Sequence, residues 1–417
     1  LRRARGGVPP ARRRGMTSSP AAVRERWRMT LEARALIIVT AVILAFGLAV
    51  LYSASALLSV REGHDSMHYL LLQLSGVGMG VVLFAIAAKV DAERWKGWAW
   101  PILGLAILLL LIPVLPVPSK IAPRIHGSRR WVYIGFLFQS SEFAKLAAIV
   151  WTAMLIVKKG DKLRRLTKGL LPFMVVLAVL NLLVILEPDL SMAMTFTLIV
   201  GIMLFAGGVR IGHVIFLGII AIPLLWRQVE RVQYAVLRMT SFLNPGPDVA
   251  VAGYQLKQSL IAVGSGGLFG VGFGMGRQQL GFVPFPYNDF IASNIGEEWG
   301  FLGLLFVTLM FVAYGYIGFR IAKQARTTFQ QLLAIGITFM TVSTAFLHIG
   351  VVIGLLPTTG LTLPFVSFGR TNLVMSILMT GILVNIGSTR ERVVGAHATN
   401  PLERAPLDRA PLERVPA

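Results

Sequence analysis

The chain has 417 residues, 55% of them apolar and 14% charged, with a mean hydropathy of +0.71, a balance that excludes a soluble globular domain of this length. The formal charge of +21 is spread between the apolar runs and not gathered on one patch or recognition helix, so it gives no case for nucleic acid as a partner. With no cysteine, disulfides, thiolate metal sites and thiol nucleophiles are excluded, and catalysis falls to carboxylates, amines or hydroxyls.

Residues 1–33 form a basic stretch that reads as a disordered cytoplasmic extension, with Met16 or Met29 as the start of the protein proper. Apolar windows of roughly 17 to 25 residues, enough to cross a hydrocarbon core of about 30 Å, follow at 34–57, 68–88, 98–118, 141–157, 169–186 and 190–208. Four more lie at 211–226, 299–319, 330–355 and 363–387, with the Gly- and Pro-bearing stretch 353–364 expected to be broken or re-entrant. The first window ends in Ala54-Ser55-Ala56, similar to a signal-peptidase site, but it exceeds a signal h-region and more spans follow, so it reads as an anchor. The expected fold is therefore all-α: a polytopic integral membrane protein of about ten transmembrane helices over residues 34–390, with a long extracytoplasmic loop, 227–298, before the eighth. Residues 391–417 contain a Pro-rich Ala-Pro-Leu-Glu/Asp-Arg repeat and read as a disordered cytoplasmic tail.

Lys and Arg set the orientation. Segments 1–36, 89–96, 158–168, 320–326, Arg210 and the stretch after Ser388 hold 28 of the 40, whereas the opposite loops hold 10. The positive-inside rule then puts both termini in the cytoplasm.

Four segments break the apolar pattern. In His126-Gly-Ser-Arg129-Arg130-Trp131, two arginines stand on the outer side against the topological bias, which suits either an anionic partner or the headgroup level. Just after them Glu142 and Lys145 share a helical face, as a structural ion pair or a functional one. Glu187-Pro188-Asp189 joins two spans, and Asp189 is placed to N-cap the second or to serve the site. In the long loop, Tyr254 to Ser259, with Lys257, fits one turn of amphipathic helix, and the glycine run Gly264 to Gly276 fits tight backbone packing better than phosphate binding. The same loop presents Asp289 among aromatic neighbours, where partial desolvation favours a general base and helix capping is the plainer alternative, and it sets Glu297 and Glu298 next to lipid. The last segment, Leu347-His348 and then Gly354 to Arg370, interrupts two helices with Pro and Gly, leaving backbone groups for a cavity or a partner to satisfy. His348 has no companion ligand at metal-binding spacing.

Over roughly residues 34–390 the chain resembles the SEDS family (FtsW, RodA and SpoVE), through HGSRRWVYIGFLFQSSEFAK, EPDLS, YQLKQSLIAVGSGGLFGVGFG, PYNDFIASNIGEEWG and LLPTTGLTLPFVSFG. It departs from the family's pattern at His126, Ser140, Ser191, His348 and Arg370, and only the last puts local packing in question. The resemblance implies a peptidoglycan glycosyltransferase that polymerises lipid II at the outer face of the bacterial inner membrane, more similar to the division branch, and hence septal, than to the RodA-type elongation branch. It implies that Asp289 is the catalytic carboxylate. Arg129, Arg130, Lys145 and Lys257 are then candidates for the pyrophosphate side of the substrate, Glu142 and Asp189 for the same site, and a divalent cation (Mg or Mn) is an optional aid. Implied partners are lipid II and the undecaprenyl-pyrophosphate-linked glycan, a class B penicillin-binding protein whose membrane helix packs against the last two spans, and other divisome membrane proteins. A lipid II flippase or a nonenzymatic scaffold would share the many helices. A flippase, however, needs charges lining a path across the bilayer, whereas the key carboxylate here sits in a loop.

Overall fold

The computed structural model describes residues 23–125, 128–209, 251–277, 280–282 and 286–394, together with 212 and 242. His126, the 211–226 window apart from residue 212, and most of 210–250 lie outside them. The helices are α1 (Leu31–Arg61), α2 (His68–Lys89), α3 (Arg94–Val114), α4 (Ser140–Lys159), α5 (Leu171–Leu186) and α6 (Leu190–Ala206), then α7 (Val251–Gly266), α8 (Ile291–Glu298), α9 (Gly300–Lys323), α10 (Thr328–Val352) and α11 (Arg370–Ile386). Among the described residues six of these are long and apolar enough to cross a membrane, and α5, α6 and α11 are shorter apolar helices. The sequence sets the ends locally. Thr30 caps α1 by accepting from the Ala33 amide at 3.3 Å, and Thr327 caps α10 from the Gln330 amide at 3.2 Å, which satisfies donors the helix cannot use itself.

Burial sorts the spans. Only 22% of the apolar window of α2 is covered by the rest of the chain, and 28% of that of α3, against 89% for the segment that contains α4. Apolar helices with so little cover need lipid around them, so this is a multi-pass membrane protein with α4 and α11 inside. Residues 371–377 and 379–386 of α11 are all buried, and the helix packs tightly on α2. Gly381 makes that approach close, since a Cβ there would lie 2.8 Å from the Phe84 carbonyl oxygen. One end of the bundle is tied by Asn385, which donates to the Ala88 carbonyl at 2.6 Å and accepts from the Ala92 amide at 2.9 Å, and by the Arg320–Glu32 pair at 3.0 Å.

Three features depart from the sequence expectation. A short antiparallel hairpin, β2 (Trp131–Tyr133) with β3 (Leu137–Gln139), pairs Trp131 with Gln139 and Tyr133 with Leu137. Its three-residue loop turns at Gly135, φ +89°. Helix α7 runs for 16 residues where one turn was expected, and the final window becomes helical only at Arg370. Separately, residues of the two ends form a small unit in which β1 (Val23–Met29) pairs with β4 (Ser388–Val394).

Candidate functional site

The candidate residues lie toward the other end of the bundle, where α1, α5 and α10 end and α2, α4, α6 and α11 begin, and Lys257 sits on α7, which is tied to that end by Ser259. Asp289 is half-buried on a turn of residues 286–290 that leads into α8. The turn is fixed through its backbone. The Tyr287 carbonyl accepts from the Phe368 amide at 2.9 Å, and the Asn288 carbonyl from the Ser367 hydroxyl at 2.8 Å. Ser367 also accepts from the Leu363 amide at 2.8 Å, which closes its own turn. Behind it stands Gln73, a fully buried polar residue of α2, whose amide donates to the Ser367 carbonyl at 3.0 Å and accepts from the Gly369 amide at 3.2 Å. Asp289 is thus held by a relay, α2 to 367–369 to 287–288, and not by its own helix. Burial pushes the Tyr287 hydroxyl up, a bond to Tyr69 opposes this, and negative charge on Glu62 and Asp289 adds to the rise.

Segment 353–369 was expected to leave backbone groups for a cavity or partner. Instead the chain's own side chains satisfy several of them. The Thr359 carbonyl accepts from Ser191, the Leu361 carbonyl bonds to His348 Nδ1 at 2.7 Å, and Ser259 of α7 bonds to the Val352 carbonyl at 2.9 Å. Two of these partners, Ser191 and His348, are positions where the sequence departs from the family's pattern, and both serve the backbone here. Arg370, another of the five departures, lies over the Phe136 ring at 5.4 Å and against Gly76, so its packing is resolved by a cation–π contact.

The glycine run does pack tightly. Gly270, at φ +83°, sits where a Cβ would be 2.1 Å from the Glu298 carbonyl oxygen, which no other residue could tolerate. The loop wraps Glu297 and Glu298, which are each 2% exposed and do not face lipid. Glu297 Oε1 accepts from the Arg277 amide at 2.9 Å, and Glu298 Oε1 from the Ser53 hydroxyl at 2.5 Å. A cavity of about 460 Å³, lined by Tyr52, Ser53, Leu57, Phe273 and Gly274 among others, opens on this side of α1.

The remaining candidates divide. Arg130 bonds to the Glu187 carbonyl at 3.2 Å and the Pro188 carbonyl at 2.5 Å, and its Nη1 lies 3.3 Å from Asp189 Oδ2. Asp189 in turn caps α6 by accepting from the Met192 amide at 3.2 Å. Glu187, 2% exposed, has its carboxyl pushed up to about 9, first by burial and then by Asp189, with Arg130 opposing. Glu142 and Lys145 form an ion pair at 2.8 Å with side chains 3% and 4% exposed, sealed inside the bundle. Arg129 Nε is buried without a hydrogen-bond partner among the described residues. Lys257 stands exposed on α7, on a face opposite Leu256 and Ser259, which are buried. Among the described residues no three His, Asp or Glu side chains gather as a metal site. Sequence reasoning missed Gln73, Ser53 and Tyr69; a lone amide in the α2 span was the available signal for the first.

The family profile that matches, described as a cell cycle protein and covering FtsW, RodA and SpoVE, spans residues 33–392. The chain belongs to the FtsW/RodA/SpoVE family. It is 37% identical over 367 residues to a probable peptidoglycan glycosyltransferase FtsW of Trichlorobacter lovleyi, covering 88% of this chain and 96% of that one. It is 36% identical over 355 residues to the stage V sporulation protein E of Bacillus subtilis, covering 84% and 95%. Among solved structures it is similar to a chain from a peptidoglycan synthase complex that coordinates polymerization and crosslinking, with a TM-score of 0.70, 25% identity and coverage of 84% and 96%. It is also similar to the rod shape determining protein RodA of Thermus thermophilus, with a TM-score of 0.62, 25% identity and coverage of 84% and 95%. For this family member, one expectation about partners needs correction. The last span, α11, is covered nearly all round by its own chain, so it offers no face to a partner's membrane helix. The adjacent α9, by contrast, exposes Phe301, Leu305, Phe306 and Leu309.

Proposed function

We propose that the protein is a peptidoglycan glycosyltransferase that polymerises lipid II into glycan strands at the outer face of the bacterial inner membrane during septation, with both termini in the cytoplasm and Asp289 as general base. The observation that carries this reading is Asp289 itself: half-buried, at the loop end of the bundle, on a turn immobilised by Phe368, Ser367 and Gln73. A base must be held within hydrogen-bond reach of the proton it takes, and a fixed turn supplies that positioning.

The 4-hydroxyl oxygen of an acceptor N-acetylglucosamine bonds to the anomeric carbon of N-acetylmuramic acid on the lipid-linked donor. The bond from that carbon to the pyrophosphate oxygen breaks, undecaprenyl pyrophosphate leaves with the electron pair, and the hydroxyl proton passes to the Asp289 carboxylate. A single displacement turns the α-linked donor into a β product and needs one carboxylate, with no covalent intermediate. Of the basic candidates, Arg129 suits the leaving pyrophosphate best, because its Nε has no other partner among the described residues while Arg130 is committed to Glu187, Pro188 and Asp189. A divalent cation, Mg or Mn, would add positive charge on the pyrophosphate side as the leaving group separates. A class B penicillin-binding protein is the expected partner, its membrane helix lying on the exposed apolar face of α9.

The test is polymerisation of purified lipid II in detergent, with and without the transpeptidase. The wild type yields glycan, and Asp289→Asn loses at least about a hundredfold in rate with unchanged thermal unfolding and partner binding. Full activity in Asp289→Asn would refute the assignment of the base. Because detergent offers no second compartment, glycan synthesis there also separates a polymerase from a flippase.

A further inference from the structure

The rings nearest Asp289 form a continuous line that extends well beyond the residues that hold its turn. The Tyr287 centroid is 4.8 Å from that of Tyr69 and 5.8 Å from that of Phe368. Tyr69 meets Phe368 edge-on at 5.1 Å and His68 at 5.4 Å, and His68 stacks on His64 at 4.3 Å with 12° between the planes. Tyr69 Oη donates to Glu62 at 2.6 Å, which fixes the ring's tilt. A cluster of aromatic rings assembled for stability alone buries its faces. Here Tyr287, Phe368, Tyr69 and His68 are all only half-buried, and His64 is exposed. The line starts two residues before Asp289 and runs outward to the α1–α2 connection.

We propose that this line is a saccharide track: the rings of the growing glycan strand, a β-linked polymer of N-acetylated amino sugars, stack along it as they leave the reaction centre. The inference rests on the polymerase reading above. A pyranose presents a face of C–H bonds, each slightly positive, and the face of an aromatic ring is negative, so the two attract and exclude water between them. Glu62, exposed beside Tyr69, supplies carboxylate oxygens that accept from sugar hydroxyl or amide donors. The inner rings double as supports for the Asp289 turn, since Tyr287 and Phe368 share a backbone bond. The outer pair does not. Among the described residues no hydrogen bond runs from the His64 or His68 ring to that turn, so these two residues test the track without disturbing the base.

The experiment is binding of chitotetraose, a β-linked tetramer of N-acetylglucosamine, to the full purified chain in detergent, followed by saturation-transfer NMR. The wild type and Asp289→Asn bind equally. The double variant His64→Ala, His68→Ala, with an unchanged unfolding temperature, binds about tenfold more weakly and makes shorter strands from lipid II at an unchanged initial rate. His68→Trp restores both binding and strand length, which a merely structural histidine would not. His64→Ala alone, at the exposed end, gives a smaller loss of binding and serves as the check should the double variant unfold. Equal chitotetraose binding by wild type and the alanine variants, or no binding by the wild type at millimolar concentration, would overturn the track. If ring-dependent binding is found but no variant or wild type polymerises lipid II, the saccharide track stands and the polymerase reading fails.

Discussion

The Glu142–Lys145 pair allows a prediction worked directly from geometry. Its atoms are 2.8 Å apart with side chains 3% and 4% exposed, so at an effective dielectric of about 20 the two charges attract by about 6 kcal/mol. That attraction offsets a desolvation cost of several kcal/mol for each ion. Glu142→Gln keeps the shape but strands an ammonium inside the bundle, and Lys145→Met strands a carboxylate. Each single change is expected to cost roughly 3–5 kcal/mol, whereas the double change leaves no buried charge and costs less than either. Stability is read by titrating the purified protein with SDS in mixed micelles and following tryptophan fluorescence, to which Trp151, buried on the same helix, contributes. A double variant as unstable as the two singles added together would refute the reasoning. If both singles keep wild-type stability yet make no glycan, the pair serves the substrate and not the fold.

Three further outcomes follow from other contacts. Glu187 has its carboxyl raised to about 9 from an ordinary value near 4.5, so the folded state holds a proton that the unfolded state releases. Its contribution is fully present below about pH 4.5 and is lost as pH rises toward 9. Glu187→Gln, always neutral, should therefore match the wild type at pH 4 and gain on it with rising pH, by at most about 4 kcal/mol at pH 7.5, as read from thermal unfolding across pH; a pH-independent difference would sink this account. Gln73→Leu removes both bonds that α2 gives to 367–369 and leaves the Ser367 carbonyl and the Gly369 amide without them. It should cost roughly 2–4 kcal/mol and slow glycan synthesis beyond what the stability loss explains, because the Asp289 turn loses its backing. Gly270→Ala drives a Cβ into the Glu298 carbonyl and should sharply lower the yield of folded protein, whereas alanine at Gly264, with open space around it, should be tolerated.

Hydropathy alone determined that this chain crosses a membrane many times, and where. Nine of the ten expected windows contain a helix, and the tenth, 211–226, lies outside the described residues but for residue 212. A run of apolar residues must hydrogen-bond its own backbone in lipid, so span and helix are one requirement, readable from local composition. Chemistry-bearing residues such as Asp289, and ion-pair partners three residues apart such as Glu142 and Lys145, were legible for the same local reason. What only the tertiary structure decided is how distant segments complete one another. Gln73 reaches Ser367 across 294 positions, Ser53 reaches Glu298 across 245, and Tyr69 meets Tyr287 and Phe368. Such pairings carry no period or spacing in the sequence, because the helices between them set the distance and the fold alone brings the ends together. Residues 353–369 make the point: the sequence exposes their broken backbone, but only the packed bundle supplies the serine, histidine and glutamine side chains that bond it.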